Sequence, residues 1–359
     1  MDEVLIRDYQ NGDENKITEL LKLSFKGWPR PQEKLSDIKF WEWKYLDSPA
    51  KLKVITVAES NNEIVGCHHS SFFWVKLYNE NRLGYIGGDI AVHPGYRGKG
   101  IWKKMVQKST DKTKELGLGF SYGVTTNPVV KDGWEKMGEK FFPHSISLLY
   151  WVEDLGLHIR KTGMSSLKDV RFIKSKVLSR VSSPVVKNEF TISEVSSFGE
   201  FYDEFWTKTR EHYMFTVEKN RKYLNWRYCD SRGGKYHVEA AINGNNFLGF
   251  IVLKIVQLDS GYSKGYVVDV LSTIGRLDVV NALIQRGLEY FKENGVNFIQ
   301  ALIVTDHPFE NAYIDNGFIE VKNEYVILYQ EWKNESFFKE FYNAPSERVQ
   351  FQFGDIDFI

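Results

Sequence analysis

A run rich in apolar and β-branched residues, Val54 to Ala58, breaks at Ser60-Asn61-Asn62-Glu63 and resumes at Ile64. The break holds residues that tolerate unusual backbone angles, so the pattern predicts a β-hairpin. The same pattern returns around Asn243-Gly244-Asn245-Asn246. Strand-forming residues run from about Tyr85 to Val92. They give way to apolar positions at helical spacing: Ile101, Met105, Val106 and Leu116. A helix is predicted from about Gly98 to Leu116, and another from about Arg276 to Asn294. Each ends before a glycine, Gly117 or Gly295, a suitable helix stop.

The two sets of elements are related in sequence. Trp43-Lys44-Tyr45-Leu46-Asp47-Ser48 returns as Trp226-Arg227-Tyr228-Cys229-Asp230-Ser231. At the same offset Ala58 meets Ala241, Asn62 meets Asn245 and Gly66 meets Gly249. With small shifts, Asp89-Ile90-Ala91-Val92 corresponds to Asp269-Val270-Leu271-Ser272, and the run from Trp134 to Glu139 to that from Tyr313 to Phe318. The period is too long for a solenoid. It predicts two copies of one α/β domain, which 359 residues can hold. We divide the chain into domains at 1–155 and 188–359, joined by a basic linker at 156–187. From Ile159 to Lys187 that linker carries Lys, Arg and Ser with one acidic residue, Asp169. It reads as a solvated connection, or as a basic strip near an anionic ligand.

Composition narrows the function. Hydrophobic residues at 42% and aromatics at 15% can fill two cores. Lys and Arg (47) balance Asp and Glu (47), so the chain lacks the global attraction that non-specific nucleic-acid binders use. Cys67 and Cys229 have no metal spacing and no disulfide framework, and no metal is expected. They read as small apolar residues in a reducing compartment. No apolar run approaches a membrane span and the N-terminus has no apolar signal region, which predicts a soluble cytoplasmic protein.

The candidate chemistry sits where a strand turns into a helix, at Val92-His93-Pro94-Gly95-Tyr96-Arg97-Gly98-Lys99-Gly100-Ile101-Trp102. The first amides of a helix lack intrahelical partners, and the helix dipole adds partial positive charge there. Glycines let a ligand approach the backbone, and Arg97 and Lys99 add charge at the rim. Such a loop suits a phosphate or pyrophosphate. It is not a Walker loop, and a dinucleotide fingerprint would need a third glycine where Lys103 stands.

The loop resembles the acyl-CoA pyrophosphate loop of the GNAT superfamily of N-acetyltransferases, whose pattern is [QR]-x-x-G-x-[GA]. Arg97 and Gly100 match it; Trp102 stands where Gly or Ala is usual. The family's next marker, an Asn followed at fixed spacing by Tyr and Gly, is met by Asn127 and Gly138, with Trp134 in place of the Tyr. The resemblance covers roughly the first 150 residues well and the second copy in outline. It implies an α/β (α+β) fold of two GNAT-like domains, each a mostly antiparallel mixed sheet flanked by helices. It further implies that acyl-CoA is held by Val92, Arg97, Gly98, Lys99, Gly100, Ile101, Trp102 and Asn127, with the backbone N–H at Val92 polarising the thioester carbonyl. The second copy lacks the loop, and Asp278 would repel a pyrophosphate. It is therefore expected to be degenerate and to complete the acceptor site.

Direct acyl transfer needs a neutral amine, a stabilised oxyanion and a departing thiolate. Strand alternation puts Asp89 with Ala91 and His93 on one face, and a buried Asp89 with a raised pKa is the leading candidate base. Asp269, at the matching place in the second copy, favours a structural role for it instead. His68 and His69 face opposite ways on one strand, and His68 joins the catalytic candidates. His93 reads as structural, and His144 has no assigned role. Trp134 is expected to pack against the pantetheine arm, with no dedicated acid, because a thiol of pKa about 8.5 leaves well enough near neutrality. Phe25, Trp28, Phe40, Trp41, Trp43 and Tyr45 read mostly as core, with the stretch from Phe25 to Pro31 as a wall for the acceptor.

The reading is an N-acyltransferase acting on a small-molecule amine acceptor, such as a nucleotide-linked amino sugar for surface polysaccharide, in a monomer or small homo-oligomer. A non-catalytic acyl-CoA sensor and an aminoacyl-tRNA-dependent transferase are the alternatives. The intact loop and zero net charge argue against the second of these.

Overall fold

The structure is a computed structural model describing residues 3–25, 28–29, 36–118, 120–136, 138, 140–162, 189–259, 261–323, 325–331 and 341–356. The chain divides into two compact units. The first is Met1–Phe142 with Asp230–Gly234 and Tyr325–Glu340; the second is Pro143–Cys229 with Lys235–Glu324 and Phe341–Ile359.

The first unit runs β1 (Leu5–Asp8), α1 (Glu14–Ser24), α2 (Asp37–Tyr45), β2 (Val54–Ser60), β3 (Glu63–Leu77), β4 (Glu80–Val92), α3 (Ile101–Glu115), β5 (Phe120–Thr125), α4 (Pro128–Lys136), β6 (Lys140–Phe141) and, from far along the chain, β15 (Val326–Glu331). Its sheet has the order β1-β2-β3-β4-β5-β15-β6. Along this order every neighbouring pair is antiparallel except β4 and β5. The second unit runs β7 (Ile146–Val152), α5 (Leu155–Thr162), β8 (Thr191–Glu194), α6 (Phe201–Arg210), β9 (Phe215–Val217), α7 (Arg221–Leu224), β10 (His237–Asn243), β11 (Asn246–Asp259), β12 (Tyr262–Ser272), α8 (Leu277–Glu293), β13 (Phe298–Val304), α9 (Pro308–Asp315) and β14 (Ile319–Val321). Its sheet has the order β14-β7-β13-β12-β11-β10-β8, again with one parallel pair, β12 and β13.

The two strand orders match once one strand is exchanged. β15 joins the first sheet beside β5, from Val326 opposite Thr125 to Glu331 opposite Phe120. β7 joins the second beside β13, from Ile146 opposite Val304 to Val152 opposite Phe298. Each compact unit thus takes one strand from the other half of the chain. Of the basic segment 156–187, the part up to Thr162 belongs to α5, and 163–187 lies outside the described residues.

The site rests on the first unit's core. Ile17, Leu20 and Leu21 of α1 and Trp41 and Tyr45 of α2 pack with Ile55, Val57 and Cys67. Ile101 and Met105 of α3 pack with Ala58 and Val65 on the opposite face. The buried stripe of α3 continues through Ser109 and Thr113. Leu116 does not belong to it and is 48% exposed. The helix closes before it because Gly117 turns to φ +77, letting Gly117 N–H reach Lys114 O and Leu118 N–H reach Thr113 O. Gly295, at φ +65, ends α8 in the same way. Among the described residues no helix is long and apolar enough to cross a membrane.

Candidate active site

The loop after β4 is held by its own polar groups. His93 Nδ1 accepts from Gly95 N–H at 3.2 Å and caps the short turn Pro94–Tyr96. Arg97 Nε donates to Val92 O at 3.1 Å, folding the guanidinium back over the strand end. The Lys99 ammonium lies 4.7 Å from the Tyr96 ring centre. Gly98 at φ +77 and Gly100 at φ +72 are both left-handed. A Cβ on either would meet nothing within 4 Å, so the backbone angle, not space, demands glycine. Gly100 is the N-cap of α3 and supplies no side-chain acceptor, which leaves the first amides of α3 for a ligand. Val92, Tyr96, Arg97, Gly100, Trp102 and Phe25 help line a pocket of about 330 Å³ at this point.

Strand β4 opens beside that pocket. Cys67 faces Ala91 and His69 faces Gly88, so the single residue His68 opposes two, Asp89 and Ile90. This is a β-bulge, and Asp89 takes φ +42 in it. The simple alternation expected of Asp89, Ala91 and His93 is broken there. On the other side, β4 pairs with β5 among the described residues at Gly84–Phe120 and Tyr85–Ser121. Beyond Tyr85 the two parallel strands carry no further pairs among the described residues, and an extended ligand arm has backbone groups to use.

Asp89 corrects one expectation. Burial by itself pushes its carboxyl up, but the charge of Lys44, with hydrogen bonds from Tyr45 and Lys44, outweighs burial and holds it at about 2. Tyr45 Oη donates to Oδ2 at 2.6 Å and Lys44 Nζ at 3.0 Å. It is a satisfied carboxylate and a weak base. The partners were legible only through the repeat. Tyr45 matches Tyr228 in the sequence repeat, and the Tyr228 hydroxyl donates to Asp269 at 3.1 Å, so each unit holds one Tyr–Asp pair. A pair present in both units fits structure better than chemistry made in one. If acyl transfer is measured, the acid limb of kcat/KM should follow the pKa of the acceptor amine and stay put in Asp89→Asn. Profiles with two acceptors of different pKa check this, and a limb that moves with Asp89→Asn would restore the carboxylate as base.

His68 and His69 face opposite ways, as strand geometry requires, but both faces are covered and both rings are buried. Trp41 Nε1–H donates to His69 Nε2 at 2.9 Å, so the ring's proton sits on Nδ1 and goes to Asp89 O at 3.1 Å. Burial pushes His69 down to about 4. On the α3 side His68 Nδ1 meets Ser109 Oγ at 2.7 Å, which meets Thr56 Oγ1 at 2.8 Å. Burial, with His69 nearby, pushes His68 down to about 3. Both rings are neutral at physiological pH.

The two tryptophans that depart from the sequence pattern have packing roles. Trp134 on α4 is buried over Gly123 of β5, where a Cβ would lie 2.7 Å from the indole. Trp102 on the first turn of α3 lies against Gly133 of α4, 3.3 Å from where a Cβ would stand. Both matched positions are glycines, so large side chains are exchanged for bare backbone across the α3–α4 and α4–β5 contacts. Asn127 Oδ1 accepts from Val129 N–H at 3.0 Å and caps α4, the turn role open to it before Pro128. In the second unit, His144 Nε2 bonds Phe341 O at 2.9 Å. Trp41, Trp43 and Tyr45 are core, while Phe25 is 38% exposed at the pocket. Most of the stretch from Phe25 to Pro31 lies outside the described residues.

Known proteins supply the family context. Residues 5–137 match the model of the Acetyltransferase (GNAT) domain. No curated protein matches the chain. Among solved structures, a conserved protein of unknown function from Enterococcus faecalis, described as a probable N-acyltransferase, aligns with TM-score 0.63 and 10% identity over 92% of this chain and 73% of its own. A GCN5-related N-acetyltransferase from Anabaena variabilis aligns with TM-score 0.61 and 8% identity over 91% and 72%. A protein from Pyrococcus horikoshii, whose assignment as an acetyltransferase is itself provisional, aligns with TM-score 0.54 and 11% identity over 99% and 95%. At such identities the likeness is one of fold. The chain thus carries, over residues 5–137, a match to the GNAT acetyltransferase domain, set in a mixed α/β fold of two helix-flanked sheets.

Proposed function

We propose that the protein is a tandem N-acyltransferase in which the first unit binds acyl-CoA and the second is a degenerate copy. The observation that carries the reading is the pocket at residues 92–102. There a strand with a bulge and a missing neighbour meets a helix whose cap is a left-handed glycine. GNAT acetyltransferases use acetyl-CoA as co-substrate. The pyrophosphate would lie on the amides that follow Gly98 and Gly100, and the arm along β4 toward Ile90. The neutral amine attacks the thioester carbon to form the C–N bond, the carbonyl oxygen takes up negative charge beside a β4 amide, the CoA thiolate departs as the C–S bond breaks, and the amine's surplus proton passes through solvent to the thiolate.

The acceptor follows from what surrounds the bulge. Asp89 at about 2, His68 at about 3 and His69 at about 4 are all poor proton acceptors near neutrality. An amine that is largely neutral by itself suits such a site. A sugar amine should titrate no higher than an α-amine, at roughly 7.7–8, whereas a lysine side chain at about 10.4 would need a strong base. A nucleotide-linked amino sugar for surface polysaccharide is the acceptor we favour, with the protein acting in the cytoplasm. Release of free thiol from acetyl-CoA and longer acyl-CoAs, measured against nucleotide amino sugars, polyamines and peptides, tests the choice. Turnover with a peptide and none with any sugar amine would end it. A crystal with CoA phosphates away from residues 97–102 would end the cofactor reading.

Trp134 then has a packing role and no proton to give. Trp134→Phe is expected to keep kcat within about threefold, since a CoA thiol of pKa about 8.5 needs no dedicated acid. Loss of most of kcat at constant KM for acyl-CoA would assign the indole N–H a part in the chemistry.

A further inference from the structure

The second unit repeats the opening of the first, and its own chain fills it. In β12 the register against β11 slips between Val252–Asp269 and Leu253–Val267, leaving Val268 as the extra residue of a bulge beside Asp269. The parallel pairing of β12 with β13 stops at Val267–Ala301. Past that point stands the segment Gln350 to Ile356. The Gln352 carboxamide binds one strand residue on both sides: Val270 N–H donates to Oε1 at 2.9 Å, and Nε2 donates to Val270 O at 2.8 Å. Val270 corresponds to Ile90, which lines the 330 Å³ pocket of the first unit.

Other contacts seat the same segment. Asp355 Oδ1 meets Lys219 Nζ at 2.6 Å, and Asp355 Oδ2 accepts from Gln352 N–H at 2.9 Å. Gly354 runs so close that a Cβ there would lie 2.2 Å from Tyr228 Oη and 3.1 Å from Asp269 Oδ2. Those two residues correspond to Tyr45 and Asp89. Phe351 and Phe353 are fully buried, and Phe353 meets the Tyr266 ring edge-on at 5.3 Å.

We propose that residues 350–356 are a built-in occupant of a second ligand cleft, with the Gln352 carboxamide standing where an amide of a pantetheine-type arm would bind β12. A carboxamide offers a strand one acceptor and one donor, as an amide of pantetheine does. The second unit is thus a formed but self-filled site. It keeps the packing a ligand would supply, and the chain takes one acyl-CoA where its two clefts suggest two. The identity of the probe rests on the acyl-CoA reading of the first unit.

The test is hydrogen exchange of the Val270 amide in the full chain, with pantetheine as the ligand. Gln352→Ala should expose that amide about tenfold or more, and millimolar pantetheine should restore its protection. Wild type should show no response at Val270. Gln352→Met, which fills the slot without either bond, should expose the amide but gain no protection from pantetheine. Exchange at Val280 and Leu283 in α8 reports whether each variant keeps its fold. Protection at Val270 in Gln352→Ala supports the inference whether or not Ile90 responds. Protection at Ile90 without Val270 overturns it and leaves the acyl-CoA reading standing; protection at neither overturns both.

Discussion

Gly100→Val is expected to weaken acetyl-CoA binding about a hundredfold or more while leaving the fold intact. At φ +72 a valine is strained by about 1–2 kcal/mol, so the free loop relaxes to another conformation and the ligand must pull it back. The relaxed loop also misplaces an amide that would serve a phosphate, and a hydrogen bond to a charged group is worth about 1.5–3 kcal/mol. Together these make about 3 kcal/mol, or two decades in Kd. Nothing lies within 4 Å of the missing Cβ, so no steric clash should carry into the core. Titration calorimetry with acetyl-CoA and urea denaturation, taken on the same variant, separate the two effects. Unchanged affinity would move the anion site away from this loop.

Arg97→Ala should do less. Its Nε already serves Val92 O, and its charge lies exposed at the rim, where screening by salt limits its worth. The glycines and the arginine are adjacent in sequence and equally prominent in the motif. Only the dihedral angles tell which of them the loop cannot do without.

Much of the fold was legible because it rests on local chemistry. The hairpin turns, the strand into the loop and the glycine stops at Gly117 and Gly295 each follow from residues within a few positions of one another. The repeat doubled that evidence. What local pattern cannot carry is pairing across the chain. β7 and β15 have the apolar character of any central strand, and nothing in Ile146–Val152 or Val326–Glu331 says which sheet each will complete. Leu116 fits the helical spacing yet stands outside the buried stripe, because the turn at Gly117 closes the helix one residue before it, at Glu115.

The site was legible at the loop and less so at the bulge. Alternation assumes an uninterrupted strand, and one extra residue in β4 invalidates it. For Asp89, burial was foreseeable, and burial alone raises a carboxyl. The sign reverses because Lys44 and Tyr45, more than forty positions earlier, meet it in space. Trp102 and Trp134 depart from the motif, and Gly133 and Gly123 make room for them. In each case the missing fact was the partner.

Lys219→Met should destabilise the protein by about 3–5 kcal/mol, with the loss greater at pH 8 than at pH 5. Lys219 is fully buried between Asp269 Oδ2 at 2.7 Å and Asp355 Oδ1 at 2.6 Å. Asp269 Oδ1 has no hydrogen-bond partner, so the lysine is the main compensation for two carboxylates in a dry place. Burial, reinforced by Asp269 and opposed by Lys219, already pushes Asp355 up to about 6. Its folded pKa exceeds its unfolded one, the reverse of an ordinary salt-bridged aspartate. Between about 4 and 6 the folded state binds more protons than the unfolded, and this group adds stability as pH falls. Removing the ammonium drives the Asp355 carboxyl further up and widens that window toward neutrality. A second change, Asp355→Asn, removes one of the two charges and should recover much of the loss at pH 8 and flatten the pH dependence. Urea denaturation of the single and double variants at both pH values measures all of this. A deficit under 1 kcal/mol, or one equal at the two pH values, would mean that the Lys219 charge does not hold the C-terminal segment in its cleft.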